Sequence, residues 1–171
     1  MPASLILASG SETRREMLQN AGLEIETIKP RVDEEMMRDS MLAEDALPRD
    51  IADALAEMKA RKVSEKHPDR LVLGCDQVLD FRGELISKAR SIEEAREQLI
   101  KLRGARHTLL SAAVLYEEGK PIWRHVGQAR LTTRVFSYAF LDDYLARNWD
   151  DVRHCVGCYK LEAEGVRLFA Q

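Results

Sequence analysis

"LVLGCDQVL", residues 71–79, is the stretch whose reading decides the fold. A nearly unbroken apolar run of this length marks a strand covered on both faces, the kind found in sheets flanked by helices. Gly74 and Asp76 interrupt it. An unpaired carboxylate in such a strand is costly. Asp76 therefore ends the strand, accepts backbone N–H bonds, or serves a metal or a water. Strand alternation turns Cys75 and Gln77 to the opposite face.

Working outward, a helix is predicted from Pro48 to Lys66, stopped by "KHPD" at 66–69. On a helical wheel Ile51, Leu55, Met58 and Val63 form an apolar stripe beside Ala52 and Ala56, and Lys59 falls inside it, with Lys62 toward its edge. A lysine so placed either buries its stem and wets its ammonium, or directs a point charge into a cleft. Downstream, Gly83 marks a turn before a strand at 84–86. Ser91 with Glu94 makes a capping box for a helix whose apolar face is Ile92, Ala95, Leu99 and Leu102. "HTLLSAAVLY" (107–116) and "ARLTTRVF" (129–136) read as strands around the "EEGKP" turn. A helix from Ser137 to Asn148 and a strand at "VRLF" (166–169) complete this half.

At the other end, "LILASGSETRREML" (5–18) runs from a buried strand into a helix that the Thr13/Glu16 capping box starts near Thr13. Gly22 ends that helix and "LEIETI" (23–28) alternates as a strand. "RVDEEMMRDSML" (31–42) is acidic and Met-containing, and no element is assigned to it. Strands and helices interleave throughout, which predicts an α/β or α+β sheet with flanking helices.

The 171 residues are read as one domain; 45% are hydrophobic, enough for a core, and 32% are charged. A net charge of −3 argues against a nucleic-acid-wrapping surface, although a small polyanion needs only a local basic pocket. No apolar run approaches the roughly 18–20 residues of a membrane span, and no signal-peptide pattern is present. Three cysteines do not describe a disulfide framework. A cytoplasmic protein without nucleic-acid or membrane partners is expected.

A helix start leaves backbone N–H groups unpaired, and these attract anions. Gly10 permits close approach, Ser9 and Ser11 add hydroxyls, and Arg14 and Arg15 bring guanidinium forks. Two arginines in a first turn oppose the helix dipole unless an anion compensates. The alternative is a serine-rich turn with two solvated arginines. Neither GxxxxGK[ST] nor GxGxxG occurs, so no P-loop or dinucleotide fingerprint is available. Asp33, Glu34 and Glu35 could join Asp76 around a divalent cation, since Mg²⁺ favours a few carboxylates plus phosphate oxygens. Lys88, after "GELIS" (83–87), is a phosphate contact or a plain surface lysine. Together these residues suggest polyphosphate chemistry: the arginines, Lys59 and Lys88 offset phosphate charge, while Asp76 holds a metal with Glu34 or takes a proton from water. A rival lies in "HCVGC" (154–158), where Cys155 and Cys158 have redox or metal spacing and His154 and Cys75 could complete four ligands. Against it, no second spaced cysteine pair exists.

The segments "LILASGSETRREML", "RVDEE", "ALAEMKA", "LVLGCDQVL", "GELISKA", "AREQLIKLRGARHTLLSAAV" and "VGCYKLEAEGVRLF" together resemble the Maf family of nucleoside triphosphate pyrophosphatases. The resemblance implies a two-lobed α/β fold, like that of inosine triphosphate pyrophosphatase, with a central twisted mixed sheet and an active-site cleft between lobes. It implies hydrolysis of the α–β phosphoanhydride of a nucleotide, with Mg²⁺ or Mn²⁺, to a monophosphate and pyrophosphate. It also implies a house-cleaning role in the nucleotide pool, and a homodimer as a candidate state. By this resemblance Ser9, Ser11 and Arg14 or Arg15 hold phosphate, and Glu34 and Asp76 serve the metal. Lys59 and Lys88 contact phosphates, and Asp76 is the proton acceptor. Gln77 after Asp76, with Glu162 in the late loop, looks like the 7-methyl-GTP subgroup rather than the dTTP/UTP type.

The departures are specific. Glu12 stands where the family has Pro, Thr13 where the 7-methyl-GTP subgroup has a stacking Trp, and Ser87-Lys88-Ala89 where it has Gly-Lys-Pro. The sequence reads as one Maf-like domain over 1–171 without the family's C-terminal segment. A catalytically impaired nucleotide-binding or regulatory protein is the alternative these departures suggest.

Overall fold

A computed structural model of the chain describes residues 4–171. The elements are β1 (Leu5–Ala8), α1 (Glu12–Asn20), β2 (Ile25–Thr27), α2 (Glu34–Ala43), α3 (Pro48–Ser64), β3 (Val72–Phe81), β4 (Glu84–Ile86), α4 (Ile92–Leu102), β5 (Arg106–Glu117), β6 (Lys120–Thr132) and α5 (Tyr138–Val152). The hydrogen-bonded strand order is β2-β1-β3-β5-β6, with β4 paired to β3 beside that path. The mixed α/β architecture read from the sequence is present. No helix among the described residues is long and apolar enough to cross a membrane.

Contacts divide the chain into two units. The first comprises the chain through Asp76 together with Ser111–Gly127; the second comprises Gln77–Leu110 and Gln128–Gln171.

In the first unit β1 lies parallel to both neighbours, with Ile6 opposite Val72 and Ala8 opposite Gly74 on one side and Leu5 opposite Ile25 on the other. Ile51, Leu55, Lys59 and Val63 repeat every four residues along α3, and Ala52, Ala56 and Ala60 repeat beside them; all are buried. Met58, read from the sequence as part of that stripe, lies at its half-buried margin. The small residues have a purpose. A Cβ at Gly74 would lie 2.1 Å from the Ala56 carbonyl oxygen and 2.8 Å from the Ala60 Cβ, so α3 rests directly on the β3 backbone. The far end of α3 is tied down where the Gly119 N–H donates to Ser64 Oγ at 3.0 Å.

The second unit is built around Leu79, Leu99, Leu102, Leu141, Tyr144 and Leu168, all fully buried. The β3–β4 hairpin turns at Arg82 and Gly83, both with positive φ, and Asp80 Oδ1 accepts the Gly83 N–H at 2.7 Å. His107 is 1% exposed; its Nε2 shares a 2.8 Å hydrogen bond with the Tyr159 hydroxyl, and its Nδ1 has no partner among the described residues.

Several boundaries differ from the sequence reading. Helix α1 starts earlier because Ser11, not a residue near Thr13, caps it by accepting the Arg14 N–H. The segment with no assigned element becomes α2, capped where Asp33 Oδ1 accepts the Met36 N–H at 2.9 Å. Strand β6 begins at Lys120, directly after the turn, and ends at Thr132. Its first ten residues show no apolar alternation because β6 stands last in the strand order and residues 120–125 are exposed. "VRLF" is not a strand. Residues Glu164–Leu168 form a 3-10 turn, which sends Leu168 into the core and leaves Phe169 alone to bridge Thr133.

Two consequences follow for stability. Gly74→Ala forces α3 off β3 and lowers the unfolding free energy by about 1–3 kcal/mol, measurable by urea titration. Burial pushes His107 down to about 4, whereas the unfolded imidazole titrates near 6.5. Between those values the unfolded chain holds a proton that the folded protein refuses. Stability therefore falls on acidification across that window, with a slope from this group of up to ~1.4 kcal/mol per pH unit. Denaturation curves from pH 7 to 4.5 should show this component, and His107→Gln should lack it.

Candidate active site

The site in the first unit forms where side chains of α1 and α3 both reach Cys75 of β3. Because α3 sits against Gly74, Lys59 arrives beside the next two residues of the strand. Its ammonium donates to Asp76 Oδ1 at 2.9 Å and to the Cys75 carbonyl oxygen at 3.1 Å, and it pairs with Glu34 Oε1 at 2.5 Å. Lys59 is 7% exposed and Asp76 8%, so this is a buried charge cluster. Glu34 comes from the first turn of α2, where negative charge is favoured by the helix dipole. Burial raises the Asp76 carboxyl above the usual carboxylate range, and the Lys59 ammonium, helped by Arg14, only partly opposes it.

Helix α1 reaches the same carbonyl. Arg14 donates from one guanidinium nitrogen to Ser9 Oγ at 3.2 Å and to the Cys75 carbonyl oxygen at 3.3 Å. Ser9 is buried and also accepts the Ser11 N–H at 3.1 Å, so both serines are fixed and each retains its hydroxyl proton as a donor. Arg15 turns elsewhere: it pairs with Glu12 one helical turn back, while its buried Nε has no partner among the described residues. Glu12 thus directs its charge to Arg15 rather than Arg14.

A hollow of about 230 Å³ opens here, lined by Ser9, Gly10, Ser11, Arg15, Thr27 and Lys29 together with Glu12. Lys29 was not singled out in the sequence. It lies in the connection after β2 without a periodic pattern, and only the fold lays its stem against Gly10, where an added Cβ would come within 3.2 Å of Lys29 Cδ.

Of the residues read from the sequence, Ser9, Ser11, Arg14, Arg15, Glu34, Lys59 and Asp76 lie in this unit. Asp33 is spent on capping α2, and Thr13 is half-buried in the first turn of α1. Gln77, Lys88 and Glu162 belong to the second unit. Gln77 is exposed on β3 beside buried Asp76, as alternation requires. Lys88 is exposed and close enough to Cys155 to favour its thiolate, while Glu162 opposes it.

The family reading raises the question of a divalent metal. Among the described residues no three His, Cys, Asp or Glu side chains are grouped to hold an ion. Two carboxylates nevertheless converge on the one ammonium of Lys59. That donor set is all oxygen and fits a hard cation completed by phosphate oxygens and water, not a preformed cage. The cysteine rival gains no support: burial raises the thiols of Cys75, Cys155 and Cys158, the last to about 11. A reactive or metal-binding thiol needs the opposite shift.

Among solved structures, a HAM1 protein from Coxiella burnetii shares the fold, with a TM-score of 0.54 at 16% identity, over 78% of this chain and 74% of that one. The family model for Maf-like proteins matches residues 4–171. The chain belongs to the Maf family. Its Maf relatives include a nucleoside triphosphate pyrophosphatase of Ruegeria pomeroyi, 61% identical over 170 residues that cover 99% of this chain and 85% of the relative. Another, of Roseobacter denitrificans, is 61% identical over 171 residues covering 100% and 86%. A 7-methyl-GTP pyrophosphatase of Mesorhizobium japonicum is 44% identical over 169 residues covering 99% and 85%.

The Lys59 cluster makes a stability prediction of its own. Lys59→Met leaves Asp76 facing Glu34 without their shared cation. At pH 7 this should cost about 3–5 kcal/mol of unfolding free energy, read by chemical denaturation.

Proposed function

We propose that this Maf protein hydrolyses the α–β phosphoanhydride of a nucleoside triphosphate to a monophosphate and pyrophosphate. The observation that carries the reading is the convergence of Arg14 and Lys59 on the Cys75 carbonyl oxygen, which holds two cations beside a buried carboxylate. Membership of the Maf family, whose relatives above are named as pyrophosphatases, supports it.

The chemistry follows from the groups present. The triphosphate enters the hollow at the start of α1, where the Ser9 and Ser11 hydroxyls and the Arg15 guanidinium on its lining donate to phosphate oxygens. Lys29 offsets the charge that Glu12 brings to the same wall. Lys59 engages Oδ1 of Asp76, which leaves Oδ2 to accept the proton of the attacking water. The water oxygen bonds to the α-phosphorus as the bond to the bridging oxygen breaks, and pyrophosphate leaves. Burial makes Asp76 a stronger base than an exposed carboxylate. Glu34 and Asp76 are the residues that would hold Mg²⁺ or Mn²⁺, whose charge would stabilise developing negative charge on phosphate. Lys88 is assigned a further phosphate contact on family resemblance.

For the base, we read 7-methyl-GTP as the preferred substrate, on Gln77 and Glu162. A carboxylate accepts from guanine N–H donors and suits a cationic methylated base. Thr13 supplies no stacking surface, so the discrimination would rest on that carboxylate. The competing reading, a nucleotide-binding protein without turnover, draws its structural support from the Glu12–Arg15 pair, which turns one guanidinium toward a carboxylate.

One experiment addresses these points. A panel of 7-methyl-GTP, GTP, dTTP and UTP with Mg²⁺ or Mn²⁺ should release pyrophosphate rather than orthophosphate, fastest from 7-methyl-GTP. Asp76→Asn should lower release at least a hundredfold while retaining most nucleotide binding. Preference for dTTP or UTP would overturn the base assignment alone. Tight binding with no release from any triphosphate would replace the enzyme by the binding protein.

A further inference from the structure

A second and larger hollow in the first unit shares only Lys29 with the reading above. It measures about 540 Å³, within the range of small-molecule sites. Two segments make it: the connection after β2, and the end of α3 with the residues that follow. The first contributes Lys29 and Arg31, the second Lys62, Lys66 and His67. Ile28, Pro30 and Val63 form an apolar side, and the acid on the lining, Glu65, leans toward Arg61 at 3.8 Å.

The charge here is concentrated, four basic side chains against the one acid on the lining. The whole chain carries a net charge of −3, yet three lysines and an arginine border this one hollow. No salt bridge to Lys29, Arg31, Lys62 or Lys66 forms among the described residues, in contrast to Lys59 with its two carboxylates. The C-terminal dipole of α3 accounts for cations at Lys62 and Lys66. It does not account for Lys29 and Arg31, which arrive from another segment. Lys62 lies in the last turn of α3 and Lys66 in the turn that follows it, so the two lysines reach the lining from successive segments. Arg31 adds a planar fork suited to a phosphate edge.

We propose that this hollow is a second anion site, distinct from the one at the start of α1, that takes a small molecule bearing two or more phosphates. The apolar side faces its organic part. Lys29 borders both hollows, so the two sites share one cation.

The probe is inorganic tripolyphosphate, titrated calorimetrically into the intact protein in metal-free buffer. The wild-type protein should show two sites. Arg31→Gln with Lys66→Gln, both exposed residues, should weaken one of them at least tenfold and leave the other, along with pyrophosphate release, unchanged. Arg15→Gln should weaken the other. Wild-type binding to one site that only Arg15→Gln weakens would overturn the proposal, as would an isotherm unaltered by the double variant. A lone site lost in the double variant and kept in Arg15→Gln would support the second site while counting against the first.

Discussion

The ammonium of Lys59, held between Asp76, Glu34 and a backbone carbonyl, is the interaction on which the site depends. Desolvating a carboxylate in the middle of an apolar strand is expensive, and a cation brought there without partners would be equally so. Each makes the other tolerable. The arrangement needs a helix close enough to its strand that a lysine stem reaches the neighbouring residues, and Gly74 with Ala56 and Ala60 provides that proximity. Packing therefore precedes electrostatics in the causal order, and the chemistry rests on both.

The same carbonyl of Cys75 receives Arg14. A group from near residue 14 and another from near residue 59 thus meet at a point of β3 that neither segment contains. Backbone oxygen is a neutral acceptor, so it orients Arg14 without cancelling its charge, whereas Lys59 meets two carboxylates as well.

Much of this was legible in the sequence, and the reasons are specific. Lys59 stood out because an apolar stripe of helical period surrounds it, and Asp76 because an apolar strand does. The division of labour between Arg14 and Arg15 was not legible. It turns on which partners the fold brings within reach, Ser9 and the Cys75 carbonyl for Arg14 and Glu12 for Arg15, and spacing alone does not fix that. Lys29 and Arg31 lie in a connection with no periodicity, so their importance exists only in three dimensions. Strand β6 was half missed because an exposed strand at the end of the order lacks the burial that writes alternation into a sequence. The closing "VRLF" misled for the opposite reason: an apolar run can enter the core as a 3-10 turn as readily as a strand.

The interlock at Gly74 also constrains the chain's history. Because the missing side chain faces the backbone of α3 rather than a flexible neighbour, enlargement there has no local remedy. Ala56 and Ala60 are bound by the same geometry, so drift at one of the three positions narrows what the other two can accept. A larger side chain at any of the three would lift the helix from the strand and carry the Lys59 ammonium away from Asp76.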